Sequence, residues 1–207
     1  MSDSCQTAFD GMSEGYRRAL WAVIGINGAM FFVEIFAGIS AQSQALKADA
    51  LDFAGDTATY ALSLFVIGAS VKTRALASVF KAATLGAMAL TVLTLTVLQF
   101  TNGAEPAAQT MGIVGVIALV ANLLSVVILL RWRDGDSNVR SVWLCSRNDA
   151  IGNVGVIAAG VLVAATGTAW PDLIVATLLA SLFLRSSVAI FQQARSELRH
   201  DEACQDG

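Results

Sequence analysis

Residues 46–70 read LKADALDFAGDTATYALSLFVIGAS. Lys47 apart, its charged positions are Asp49, Asp52 and Asp56, spaced at three and four residues, while most of the rest are Ala, Leu, Phe, Val and Ile. That spacing is helical, since apolar positions that recur every three or four residues describe a helix rather than a strand. A carboxylate at the centre of a bilayer costs on the order of 2.5–3.5 kcal/mol, so it faces a partner, an ion or a water-filled path. A second stretch, Ser141 to Ala165, carries Asp149 in the same way. The fold therefore turns on whether these two acidic stretches cross a membrane.

Composition answers that they do. Of 207 residues, 56% are hydrophobic and 14% charged, and the mean hydropathy is +0.65. A soluble domain is about a quarter charged. A span needs about 20 mostly apolar residues, and six windows qualify: Leu20 to Ala41, Leu46 to Ser70, Leu76 to Phe100, Thr110 to Leu130, Ser141 to Thr166, and Pro171 to Phe191. The expectation is an all-α membrane protein of six transmembrane helices. It has a tail over 1–19, one bundle over 20–199 and a short tail over 200–207. Polar Gln42 to Ala45, Asn102-Gly103, Pro106, Asp134-Gly135 and Gly167 mark the joints. Pro171 suits the first turn of the last helix, where Asp172 complements the helix dipole as a cap.

Basic residues orient the bundle. Arg17, Arg18, Lys72, Arg74, Lys81, Arg131, Arg133, Arg140, Arg195 and Arg199 fall on one side and Lys47 on the other, which puts both termini in the cytoplasm. Trp21, Trp132 and Trp143 near that boundary and Trp170 near the other fit interfacial anchoring. Arg147 and Arg185 lie within about two helical turns of the cytoplasmic end and can snorkel to headgroups. The polar start from Met1 to Tyr16 is unlike a basic leader, and none is expected. The net charge of −3, with no basic cluster, excludes a nucleic-acid partner, and Cys5, Cys145 and Cys204 lack framework spacing for disulfides.

At about 100° per residue, Asp52 and Asp56 differ by about 40° around their axis and Asp49 lies about 60° from Asp52. On span five, Cys145 and Asp149 stand one turn apart, with Asn153 one turn further. Asp149 lies about 13 Å in from Arg140 by helical rise, near mid-depth. Two such faces can give one divalent cation a tetrahedral set of three carboxylates and a thiolate, Asp52, Asp56, Asp149 and Cys145. Asp49, Asn148 and Asn153 are candidate accessory ligands. Asp49 can instead cap its helix or pair with Lys47, and Cys145 can be a plain buried thiol. Gly152, Gly155, Ala158, Ala159 and Gly160 allow a close helix approach.

The run NGAMFFVEIFAGISAQSQALKADALDFAGD, residues 27–56, resembles the first two spans of the cation diffusion facilitator family. So does the segment from Asn122 through Asn138-Val-Arg140 to CSRNDAIGNVG, residues 145–155. The resemblance covers roughly half of the chain. It implies a six-span fold and a proton-coupled exporter of divalent transition metals, with no permanent cofactor and no enzymatic activity. The family's metal-site pairs fall on Asp52 with Asp56 and on Cys145 with Asp149. Cys145 stands where zinc-transporting members commonly have His, and the lone histidine, His200, lies in the tail. A thiolate favours zinc or cadmium, whereas an all-oxygen site recruiting Asn148 or Asn153 suits manganese. Cobalt, nickel and iron complete the range of cargo.

The chain ends eight residues after Arg199, so the family's cytoplasmic metal-binding domain is not expected, and a homodimer would form through membrane faces. The expected partners are metal ions, protons and the lipid bilayer, and the expected location is the bacterial cytoplasmic membrane. The alternatives are a metal-dependent membrane enzyme such as a phospholipid head-group transferase, and a proton or monovalent-cation pathway.

Overall fold

The computed structural model describes residues 14–65, 71–132 and 137–205, and among them every regular element is helical. The helices are α1 (Glu14–Ser40), α2 (Gln44–Phe65), α3 (Val71–Asn102), α4 (Ala108–Leu129), α5 (Ser137–Thr166) and α6 (Trp170–Gln205), with a single 3₁₀ turn at Leu130–Trp132. Each expected window falls on one helix to within a residue, residues 66–70 of the second lying outside the described residues. The last helix runs past Arg199 to Gln205, and the first begins at Glu14, so both bounding helices take in residues read above as tails.

Among the described residues, five helices are long and apolar enough to cross a membrane, and α2 is not one of them. The reason lies in its neighbours. α2 packs against α1, α3, α5 and α6, so its polar residues face protein rather than lipid, as intramembrane ionisable groups must. Large apolar side chains instead cover the outside of the bundle, among them Phe32, Phe36, Phe80, Phe100, Val127 and Leu178. Such a surface is stable only in hydrocarbon, where helices satisfy their own backbone groups. The protein is an integral membrane protein.

The most extensive pairings are α3 with α6, α4 with α5, and α1 with α2. Alternation places the α1–α2, α3–α4 and α5–α6 turns at one end, the loop end, and both chain ends at the other, the terminal end. The turns behave as their residues dictate. Gly103 (φ 67) and Gly167 (φ 62) take left-handed backbone after α3 and α5, their N–H groups bonding Gln99 O at 3.0 Å and Val163 O at 2.9 Å. After α1 the left-handed residue is Gln42 (φ 53), flanked by Ser43 N–H to Gly38 O at 3.0 Å and Gln42 N–H to Ile39 O at 3.3 Å. That is a Schellman ending with glutamine where glycine is usual.

Apolar layers fill the interior. Ala41, Ala45, Leu46, Met111, Val114, Val156, Ala159 and Val163 close the loop end. Tyr16, Leu20, Val23, Ile24, Tyr60 and Leu129 pack at the terminal end. The small residues of α5 serve α4 more than α2. A Cβ on Gly160 would meet Met111 Cβ at 3.1 Å and Gly112 N at 3.2 Å, and one on Gly155 would meet nothing within 4 Å. On α4, Gly115 mirrors this, 3.0 Å from Ile157 Cγ1.

Candidate functional site

α2 and α5 are antiparallel, and Leu46 and Val156 share one packed layer. Stepping residue by residue from that layer, at about 1.5 Å each, sets Asp49 level with Asn153, and brings Asp52 and Asp56 to within one residue's rise of Asp149 and Cys145 respectively. The side chains agree where they are described. Asp52 is within hydrogen-bonding reach of Asp149, and so is Asp56. Each of the three residues is half-buried as a whole, with Oδ2 of Asp149 itself buried. They lie beneath the apolar layer of the loop end.

Asp56 has two further neighbours. Tyr60, one turn along α2, donates its hydroxyl to Asp56 Oδ2, and Lys81 of α3 lies within its electrostatic reach. In the sequence Lys81 reads only as an orientation mark. The bundle turns it toward the acidic face, because α3 packs on α2. A cation beside three carboxylates lowers the charge that a bound ion must balance.

Asp49 stands apart from this group. Its carboxyl meets that of Glu34 on α1, and the two residues are 2% and 0% exposed. Beyond that mutual contact, neither oxygen of Glu34, nor Oδ2 of Asp49, has a hydrogen-bond partner among the described residues. The two carboxyl groups face each other and can be joined only by a proton that they share. Asp49 therefore neither caps α2 nor pairs with Lys47, whose charge instead interacts with that of Asp172. Glu34 escaped the reading by spacing, although a glutamate inside an apolar 27-residue helix was signal enough to include it.

Among the other candidates, Asn153 is wholly buried. Its Nδ2 donates to the backbone carbonyl of Asp149 at 3.0 Å, and its Oδ1 has no partner among the described residues. The side chains of Cys145, Asn148 and Arg147 lie outside the described residues, while Arg185 is exposed, as snorkelling requires. Among the described residues, no three His, Cys, Asp or Glu side chains close around a point as a cage for an ion. The arrangement is a seam of paired carboxyls: Asp149 between Asp52 and Asp56 at mid-depth, and Asp49 with Glu34 nearer the loop end. In an apolar bundle, such a seam suits cations, which alone neutralise it without new donors.

Comparison with known proteins bears on the same helices. A family model described as the cation efflux transmembrane domain matches residues 20–199. The metal cation efflux system protein CzcD of Cupriavidus metallidurans is 28% identical over 177 residues, 80% of this chain and 56% of that protein. The zinc transporter ZitB of Escherichia coli is 29% identical over 195 residues, 88% of this chain and 62% of that one. A cadmium, cobalt and zinc/H(+)-K(+) antiporter of Bacillus subtilis is 28% identical over 181 residues, 81% and 58% of the respective chains. The chain thus spans between 56% and 62% of the length of these relatives.

Proposed function

The chain belongs to the cation efflux family, and on that premise we propose that it exports divalent transition-metal cations, zinc or cadmium first, in exchange for protons. The observation that carries this reading is the meeting of Asp52 and Asp56 on α2 with Asp149 on α5. They lie beneath a loop end that Ala45, Leu46, Val156 and Ala159 close.

The distribution of arginine and lysine makes the terminal end cytoplasmic, in the bacterial inner membrane. Metal then arrives from that end. Asp52, Asp56 and Asp149 supply oxygen ligands, and Cys145, level with Asp56, supplies a soft one suited to zinc and cadmium. Asn153, whose Oδ1 has no partner among the described residues, assists during passage. Once the bundle opens toward the loop end, protons compete for the same oxygens and release the ion, as the pH dependence of metal binding requires. The names of the relatives, which include zinc, cadmium and cobalt, support the cargo class. Family membership favours this reading over a lipid head-group transferase or a monovalent-cation pathway. A homodimer joined through membrane faces completes the proposal.

The test uses liposomes holding the full chain under an imposed pH gradient, with uptake of Zn, Cd, Co, Ni, Fe and Mn followed separately. Asp52→Asn and Asp149→Asn are each expected to lower transport about a hundredfold, the scale on which metal sites respond to loss of a supporting group. Undiminished transport by both variants overturns the assignment. Cys145→Ser is expected to lower cadmium transport selectively, and an unchanged metal profile removes the thiolate from the site.

A further inference from the structure

Asp172, in the first turn of α6, is wholly buried, yet its bonds go to α2. Its Oδ1 accepts from Ser43 Oγ at 2.5 Å and from Ala45 N–H at 3.1 Å, and its Oδ2 accepts from Gln44 N–H at 2.8 Å. Ser43, the residue before α2, accepts in turn from Leu46 N–H at 3.0 Å. Its own N–H bonds Gly38 O. A helix begins with four N–H groups that its own ladder cannot satisfy. Here all four are taken, two of them by a carboxylate from a helix 128 residues away.

The same end of the bundle holds a second tie. Gln99 of α3 donates Nε2 to Gln42 O at 2.7 Å and to Ala104 O at 3.3 Å, and accepts from Gln44 Nε2 at 2.6 Å. Ser43, Gln44, Gln99 and Asp172 are all buried. Both ties join α2 to the α3–α6 pair, whose members pack most extensively on each other. They sit beside the apolar layer that seals the loop end.

We propose that Asp172 is a positioning residue that latches the start of α2 to the α3–α6 pair, and that its bonds part when the bundle opens at the loop end. The inference rests on the export reading, because an ion leaving Asp52 and Asp149 toward the loop end must pass between α2 and its neighbours there. A purely apolar seal would offer the opening helix nothing in return. A hydrogen-bonded latch exchanges its partners for water when the end opens, so that it is specific while closed and reversible.

A covalent lock separates a latch from a mere cap. Ser43→Cys and Asp172→Cys are combined with Cys5→Ser and Cys204→Ser in the full chain, Cys145 being kept, and the protein is oxidised in liposomes. The disulfide is expected to form and to leave zinc and cadmium affinity within about threefold of the reduced protein. Transport is expected to fall about tenfold or more and to return on reduction, as for an arrested conformational step. Equal transport by the locked and reduced forms overturns the latch, and so does failure of the disulfide to form. Should the double-cysteine protein bind no metal even when reduced, Asp172→Asn, which keeps one acceptor, decides. A maximal rate changed about fivefold with KM unmoved supports the latch, and an unchanged rate overturns it. A wild-type chain that moves neither metal overturns the export reading first, and the latch falls with it.

Discussion

Two groups of buried acids flank the first turns of α2 and are balanced in opposite ways. Asp172 has three donors on its two oxygens. Beyond their contact with each other, Glu34 and Asp49 leave three oxygens with no partner among the described residues. All three residues are at most 2% exposed, and all lie in helices of an apolar bundle. Burial alone therefore does not mark an intramembrane carboxylate as functional. The supply of donors around it separates scaffold from site, because a satisfied acid resists change whereas an unsatisfied one awaits a partner.

Substitutions can break or sharpen that contrast. The largest effect is expected from Asp172→Ala, which strips two backbone N–H groups and a hydroxyl of their acceptor in a buried place. A loss of about 2–3 kcal/mol is expected, read as a lower unfolding midpoint of the purified protein, with Asp172→Asn losing about half as much. A null result would mean that water replaces the carboxylate, and Asp172 would no longer stand as scaffold. The opposite sign is expected at Glu34→Gln. The amide donates to Asp49 without the shared proton that now has to join the two carboxyls, so stability should rise by about 1 kcal/mol. A destabilised variant would show that the pair is already satisfied and would erase the contrast.

The smallest change is expected at Gln42→Gly, in the turn that both ties grip. Glycine takes the left-handed backbone without the penalty of a side chain, and the carbonyl that Gln99 bonds is retained. A gain of about 0.5–1 kcal/mol is expected, measured in the same unfolding assay. A loss would mean that the glutamine side chain holds the turn.

Much of the architecture was legible because it is local. Each window of about 20 apolar residues became a helix, and Gly103 and Gly167 ended α3 and α5 where turn chemistry said they should. The pair Asp52 and Asp56 was legible for the same reason, since residues four apart on a helix share a face. Asp149 was found by its place in a second apolar stretch, and the antiparallel register of α2 and α5 brings it level with Asp52. Of the small residues of α5 read as letting two helices approach closely, Ala159 and Gly160 are buried while Gly155 meets nothing and Ala158 is exposed, and no local pattern says which neighbour they meet. Contact with α4 at Gly160 came only from the assembled bundle.

The sequence by itself determined which six stretches are helical, where most of the turns fall and the acidic face of α2, because hydropathy, helical period and turn chemistry act over a few residues. Tertiary structure alone decided what each acid does. Glu34 and Asp49 meet because α1 and α2 lie antiparallel, Lys81 reaches Asp56 because α3 packs on α2, and Asp172 caps a helix other than its own. Hydrogen bonds and charges act through space, so partners 15 or 128 residues apart are invisible until the chain has folded.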